Sequence, residues 1–370
     1  MTAAADTPDG ATPPGEEPSA FALAAGISRG ERPAAAVVEG LVAGVLDGRV
    51  GLDDFGRFLV ALADAGETTA EIAGVAAALR ARMVRVPHRR GTVADTCGTG
   101  GDGSGTFNIS TAAAIVAAGA GLAVAKHGNR AVSSRTGSAD VLERLGVRVD
   151  APADVAAACL EEVGLCFCLA PVHHPAMKCV GPLRRSLGRP TVFNLVGPLC
   201  NPAGATVQVI GVGRAGARLP MAEAARLGGA ERVIVVSAPL AGPGERVLDE
   251  VSLFGPTDVI DVGRAGTTTG RWTPEDFGLA TRGASEMAAL AADGPEESAA
   301  AIRAVLAGEA GPRRDVVVLN AAAVLYAAGR AASRGAARAL AETAIDSGRA
   351  AATLAALAAR SQTAPSGGAA

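Results

Sequence analysis

Residues 94–111 read ADTCGTGGDGSGTFNIST, with Gly98, Gly100, Gly101, Gly103 and Gly105 set among small hydroxyl residues and two aspartates. Glycine accepts positive φ and lets a ligand approach the main chain, so successive N–H groups of such a loop can converge into an anion-binding nest. A strand-like run (GTVADT) leads into the loop, and a run of small residues with helical character (STAAAIVAAGAG) leaves it. A helix opened by Ser110 or Thr111 would aim its unpaired N–H groups and its dipole at the same anion. A strand, a bare loop and a helix in that order read as a phosphate site rather than a flexible linker. No Gly-Lys-Ser/Thr follows the loop, and no Gly-x-Gly-x-x-Gly runs directly into the helix, so neither a Walker loop nor a dinucleotide turn is indicated.

Lysine usage points to the same region. Of 34 basic residues only Lys126 and Lys178 are lysines. A chain that writes arginine almost everywhere has kept two compact, strongly hydrated ammonium groups, and both lie in motif-like stretches, AVAKHGNRAVSSRTGSADVLERLG and APVHHPAMKCVGPLRRSLG. His127, His173 and His174, with Asn108, Asn129, Asn194 and Asn201, also fall between residues 94 and 202. The coincidence of residue types marks a site.

With 370 residues, 49% of them hydrophobic, two domains with real cores are expected. A net charge of -3 and 3% aromatics leave no footprint of a nucleic-acid surface. No apolar run of spanning length lacks charges or glycines, and the first residues carry acids where a secretion signal carries bases, so a cytoplasmic protein without membrane partner is expected. Cys97, Cys159, Cys166, Cys168, Cys179 and Cys200 show no Cys-x-x-Cys spacing and read as buried or semi-buried free thiols. Cys166, Cys168, His173 and His174 could be imagined on zinc, but LCFCLAP reads as a buried strand with both thiols on one face.

Residues 1–27 and 363–370 lack periodicity and are expected to be disordered tails. Residues 31–86 are helical in pattern: Pro33 stands near one helix start, and Thr68 and Glu71 form a capping box at another. Short runs rich in valine, isoleucine and leucine (TVADT, LAVAKHG, LCFCLAP, TVQVIGVG, RVIVVSA) then alternate with helical stretches. The fold class expected is α/β, a mainly parallel sheet flanked by helices, with a small discontinuous helical domain. The helical domain takes residues 28–92 and 175–200, and the large α/β domain takes residues 93–174 and 201–362, closed by three alanine-rich helices after residue 297. Ligands of such sheets sit at the carboxyl ends of strands, so the glycine loop and the Lys126 loop should open onto one rim, with the cleft between the domains.

With GTGGD, KHGNRAVSS…GSADVLE, HHPAMK…R…LG…TVFN…GPL.NPA and LDEVS in this order, the chain resembles the anthranilate phosphoribosyltransferases of tryptophan biosynthesis over residues 28 to 360. The resemblance implies transfer of phosphoribose from phosphoribosyl pyrophosphate to anthranilate, with two Mg2+ ions, in a homodimer joined through the helical domains. Phosphoribosyl pyrophosphate would be held by Gly98, Gly101, Asp102, Thr106, Asn108, Ile109, Ser110 and Thr111, with Lys126 as the phosphate cation. His127, Gly128, Asn129, Arg130, Ala131, Val132, Ser133, Ser134 and Ser138 would complete that set. Gly98, Asn129 and Arg184 would contact anthranilate, the guanidinium matching the carboxylate; the neighbouring Arg185 reads as a surface or capping charge. Taken alone, Asp249 and Glu250 read as a solvated acidic turn; the resemblance makes them the second magnesium pair, with Ser110 on the first ion. No residue is assigned as general base, because the aromatic amine is neutral at pH 7, and His127 takes a supporting role at most.

The chain departs from the family where it normally reads His-Gly-x-Asp-Gly before Leu-Asp-Glu. Here the stretch is VVSAPLAGPGERVLDEVS, with Ser237 near the histidine position and a longer loop containing proline. A paralogue acting on another aromatic acceptor and a pyrimidine nucleoside phosphorylase share these features in part. A non-catalytic nucleic-acid-binding relative would need a basic cleft that the composition does not supply.

Overall fold

The computed structural model describes residues 19–131, 135–240, 246–264 and 266–363. The chain opens with four helices: α1 (Ala20–Ser28), α2 (Ala35–Leu46), α3 (Leu52–Ala65) and α4 (Thr69–Arg80). The first is a correction to the expected N-terminal tail. Ser19 caps α1 by accepting from Ala22 N at 3.2 Å, and Ala20, Ala24 and Ile27 are buried, so residues 20–27 are ordered by packing on α3. The capping box of α4 forms as read: Glu71 N donates to Thr68 Oγ1 at 3.4 Å and Thr68 N donates to Glu71 Oε2 at 2.7 Å.

Strands and helices then alternate through β1 (Ala94–Gly98), α5 (Ile109–Gly119), β2 (Val124–Gly128), α6 (Ser138–Arg144), α7 (Ala153–Glu162), β3 (Leu165–Leu169) and the single turn α8 (Ala170–His173). A segment of short 3-10 turns around α9 (Gly181–Leu187) follows, and then β4 (Val207–Gly211), α10 (Arg218–Leu227), β5 (Arg232–Pro239), β6 (Val247–Leu248), β7 (Thr257–Gly263) and β8 (Gly266–Trp272). The strand order is β3-β2-β1-β4-β5-β7-β8, with β6 paired to β5. The first five strands are parallel; β7 and β8 add an antiparallel ribbon. The chain closes with α11 (Pro295–Leu306), α12 (Pro312–Ala327), α13 (Arg334–Asp346) and α14 (Arg349–Ser361). The last of the three expected alanine-rich helices is therefore two, broken at Gly348, whose φ of 74° no continuing helix adopts.

Alternation along the strands sorts the core into two layers. Val207, Val209, Ile234 and Val236 face a cluster built with α5, α12 and α14, whereas Ile210, Val212, Val233 and Val235 face the layer of α2, α3, α4 and α10. The segment 175–200 joins this second layer: Phe193 packs edge-on to Phe55 at 6.1 Å, Leu183 covers Gly56, and Cys200 Sγ donates to Ala76 O at 3.7 Å. The core of the helices thus runs on into one face of the sheet. Arg80 Nη1, donating to Gly228 O at 2.6 Å, ties α4 to the end of α10. Cys166 and Cys168 lie buried on β3 with their sulfurs 4.0 Å apart, while Cys179 alone among the six thiols is exposed.

Candidate active site

Between β1 and β4 the strand order reverses direction, and the last residues of these strands, Gly98 and Gly211, pair in register. Open parallel sheets bind ligands beyond the carboxyl ends of strands at such a point. Both glycines are needed there. A Cβ on Gly98 would stand 2.2 Å from Asp249 Oδ2, and one on Gly211 would stand 1.6 Å from the Asp249 carbonyl oxygen. Two bare strand ends therefore let Asp249 lie across them.

The glycine loop is folded around the same aspartate. Gly100 N donates to Asp249 Oδ2 at 2.9 Å, and Asp249 N donates to Asp102 Oδ2 at 3.4 Å. The other oxygen of Asp102 accepts from Ser104 N and Ser104 Oγ, both at 3.0 Å, and Ser104 Oγ lies 3.2 Å from Thr106 Oγ1. Beyond this turn Thr106 bridges Ala291, and Phe107 N donates to Leu290 O at 2.8 Å, fixing the exit of the loop.

Helix α5 begins ahead of the expected Ser110 or Thr111. Asn108 is its N-cap residue and Ile109, buried, its first; Ser110 and Thr111 lie in the first turn. The Asn108 side chain is drawn elsewhere, its Oδ1 accepting from Ser298 Oγ at 2.9 Å and Thr136 Oγ1 at 3.1 Å. Ser110 N donates to Glu250 Oε1 at 3.1 Å, so a carboxylate already faces the positive end of the helix. Lys126, buried at 4% exposure, reaches the same place from β2: its Nζ donates to Thr96 O at 2.8 Å and to Ser110 Oγ at 3.3 Å. Among the described residues this ammonium has only neutral hydrogen-bond partners.

The acids are not a solvated turn. Asp249 and Glu250 are half-buried, and burial, reinforced by the charge of Asp102 on Asp249 and of Asp249 on Glu250, holds both carboxyls well above the usual carboxylate range. Negative charge that the surrounding protein leaves uncompensated suits a hard divalent cation. Among the described residues no three His, Cys, Asp or Glu side chains converge on one point, so ligand oxygens would have to complete any such shell.

Beneath the rim lies a buried carboxylate that sequence reasoning missed. Asp95 accepts from Asn201 Nδ2 at 2.8 Å and His127 N at 3.3 Å, and Asn201 Nδ2 also donates to Ala125 O at 2.7 Å. Asp95 thereby joins β1, β2 and the Asn201 turn into one scaffold. Its signal in the sequence was an acid inside an apolar strand, which a buried parallel strand tolerates only when its hydrogen bonds are met.

After β2 the chain turns tightly. A Cβ on Gly128 would stand 2.1 Å from Ser138 Oγ, and Ser138 Oγ donates to Asn129 O at 3.4 Å. Ala131 N and Gly137 N both donate to Asp140 Oδ2, at 2.9 and 3.0 Å, closing the loop at its base. Arg130 forks onto Glu143 at 2.5 and 2.7 Å and reaches Asp140 at 3.3 Å, so its guanidinium is engaged with α6. Val132, Ser133 and Ser134 lie outside the described residues.

Segment 175–200 meets the end of β2 at His127. His127 Nδ1 lies 3.0 Å from Gly197 O; a carbonyl only accepts, so Nδ1 carries the proton. Burial, followed by His174 with ring centroids 5.1 Å away, lowers the His127 pKa to about 3 and keeps the ring neutral. The Arg184 guanidinium on α9 lies over the Phe193 ring at 5.6 Å and, among the described residues, meets no carboxylate; burial lowers its pKa. Arg185 beside it is exposed.

Residues 90–351 match the glycosyl transferase family, a/b domain. The chain is 50% identical over 320 residues to the anthranilate phosphoribosyltransferase of Herpetosiphon aurantiacus, covering 86% of this chain and 90% of that one. The crystal structure of the Thermus thermophilus anthranilate phosphoribosyltransferase superposes with a TM-score of 0.83 at 42% identity, covering 92% of this chain and 99% of that one. The chain belongs to the anthranilate phosphoribosyltransferase family.

The Saccharomyces cerevisiae anthranilate phosphoribosyltransferase, solved in complex with PRPP and Mg, superposes with a TM-score of 0.81 at 27% identity over 92% of this chain and 97% of that one. Within this phosphoribosyltransferase fold, Gly98, Asp102, Ser110, Lys126, Asp249 and Glu250 form one connected cluster. His127, next to Lys126 on β2, meets Gly197 O and the His174 ring, and Arg184 stacks on Phe193 within the segment that follows.

Proposed function

We propose that this anthranilate phosphoribosyltransferase family member moves the 5-phosphoribosyl group of phosphoribosyl pyrophosphate onto the amine of anthranilate. The anomeric C–O bond breaks, pyrophosphate departs with its electron pair, a C–N bond forms and the amine loses a proton. The observation that carries this reading is the acid pair Asp249–Glu250 laid against a glycine loop and beside buried Lys126. Ser110, Asp249 and Glu250 would hold two magnesium ions, with diphosphate oxygens filling the shells. When bound, the metal supplies charge neutralisation for the departing diphosphate.

The remaining work falls to the chain itself. Transfer at an anomeric carbon passes through an oxocarbenium-like state, so positioning and electrostatics dominate. The loop N–H groups and Lys126 bind the anion, and Asp95 fixes the strand ends that carry them. Arg184 clamps the anthranilate carboxylate, which turns the amine toward the ribose. Neutral His127 shapes the acceptor pocket and transfers no proton. The helices α1–α4 with residues 175–200 act as a second unit and pair two copies of the chain; Phe21, 52% exposed on α1, supports that face.

Decay of anthranilate fluorescence tests the reading. Signal should fall only when phosphoribosyl pyrophosphate and magnesium are both present, and no decay with both would overturn it. Phosphorolysis of a pyrimidine nucleoside by inorganic phosphate without metal would instead favour a phosphorylase.

A further inference from the structure

The hairpin of β5 and β6 delivers Asp249 to the glycine loop, and it delivers a cation as well. Arg246, the residue before β6, donates from Nη2 to Gly103 O at 2.9 Å. Its side chain is exposed, and among the described residues it has no carboxylate partner. Several other exposed arginines of the molecule are paired, as Arg130 is with Glu143 and Arg271 with Asp258. Gly103 adjoins Asp102, which itself receives Asp249 N. The guanidinium therefore meets the turn of the glycine loop from its exposed side.

Charge explains why a cation is useful there. The rim holds Asp102, Asp249 and Glu250 against one lysine, and a polyphosphate entering it adds further negative charge. One hydrogen bond to a carbonyl occupies one of five guanidinium donors, leaving the fork free for phosphate oxygens. Arg246 also lies in the stretch where the chain departs from its family's pattern, so the family motif assigns it nothing.

We propose that Arg246 is a diphosphate-binding residue, gripping the pyrophosphate moiety of phosphoribosyl pyrophosphate from the solvent side of the glycine loop. This rests on the phosphoribosyl-transfer reading above. Three variants separate charge from loop anchoring: Arg246→Ala, Arg246→Lys and Arg246→Gln. The alanine and glutamine variants should raise the KM for phosphoribosyl pyrophosphate about tenfold, as loss of a charged hydrogen bond does, with anthranilate KM and Tm unchanged; lysine should restore most of the loss. An unchanged KM in Arg246→Ala, or a glutamine variant equal to the unmodified protein, would overturn the proposal. Calorimetric titration of pyrophosphate with magnesium reads the same contact without turnover. Weaker pyrophosphate binding by Arg246→Ala would uphold the contact even in a protein that failed to consume anthranilate, and unchanged binding would remove it.

Discussion

In the proposed reaction, acceptor recognition turns on Arg184. A half-buried guanidinium held over Phe193 and without a carboxylate partner among the described residues is costly unless a ligand supplies the anion. Arg184→Ala should cost about 1.5 to 3 kcal/mol, the range of a charged hydrogen bond, seen as a rise in anthranilate KM at nearly constant kcat. Steady-state kinetics with varied anthranilate checks this; an unchanged KM would take Arg184 out of the site. Residues of this kind were legible in the sequence only through the order of motifs. No spacing rule links Gly100 to Asp249, 149 positions apart, and their contact follows from two strands ending together. Arg130 shows the opposite case. It lies in a motif, yet its guanidinium serves α6, because Glu143 stands one helical turn beyond Asp140 and offers a better fork.

At the scale of elements, the pairing of β1 with β4 builds the site. Gly211 ends β4 where any side chain would enter the Asp249 backbone, and no flexible atom can yield there. Gly211→Ala should therefore lower kcat/KM by at least about tenfold by displacing Asp249 and Glu250, since misplacement by an ångström costs that much or more. Gly216→Ala, in open space on the 3-10 turn before α10, should leave the rate unchanged. Equal rates for both variants would show that the strand ends do not position the acids. The five parallel strands could be read directly, because each lies in a short, mostly apolar run buried almost throughout, even where β1 and β2 carry Asp95, Lys126 and His127. The antiparallel ribbon could not. β8 reads GTTTGRW, exposed along all but its last residue, and carries no apolar alternation to announce a strand. Helix α1 was hidden for a similar reason: its alanines and glycine resemble the tail before it, and only its packing on α3 orders it.

Across the whole molecule, charge is nearly balanced, and the site is where that balance is locally broken. Three acids and one buried lysine meet at the carboxyl end of the sheet, drawn from the glycine loop, β2 and the β6 turn, while the proposed acceptor residue Arg184 comes from the segment inserted between β3 and β4. The order of the motifs made this meeting readable at the level of family. The hydrogen bonds that enforce it, through Asp95 and Asn201, belong to tertiary structure and leave only a buried acid as their trace. The most direct test is calorimetric titration of phosphoribosyl pyrophosphate into the unmodified protein and Asp249→Asn, with and without magnesium. The site described here predicts binding that depends on magnesium and weakens at least about tenfold in the variant, the loss expected for one charged contact. Equal binding with and without the metal, undisturbed by the substitution, would contradict it.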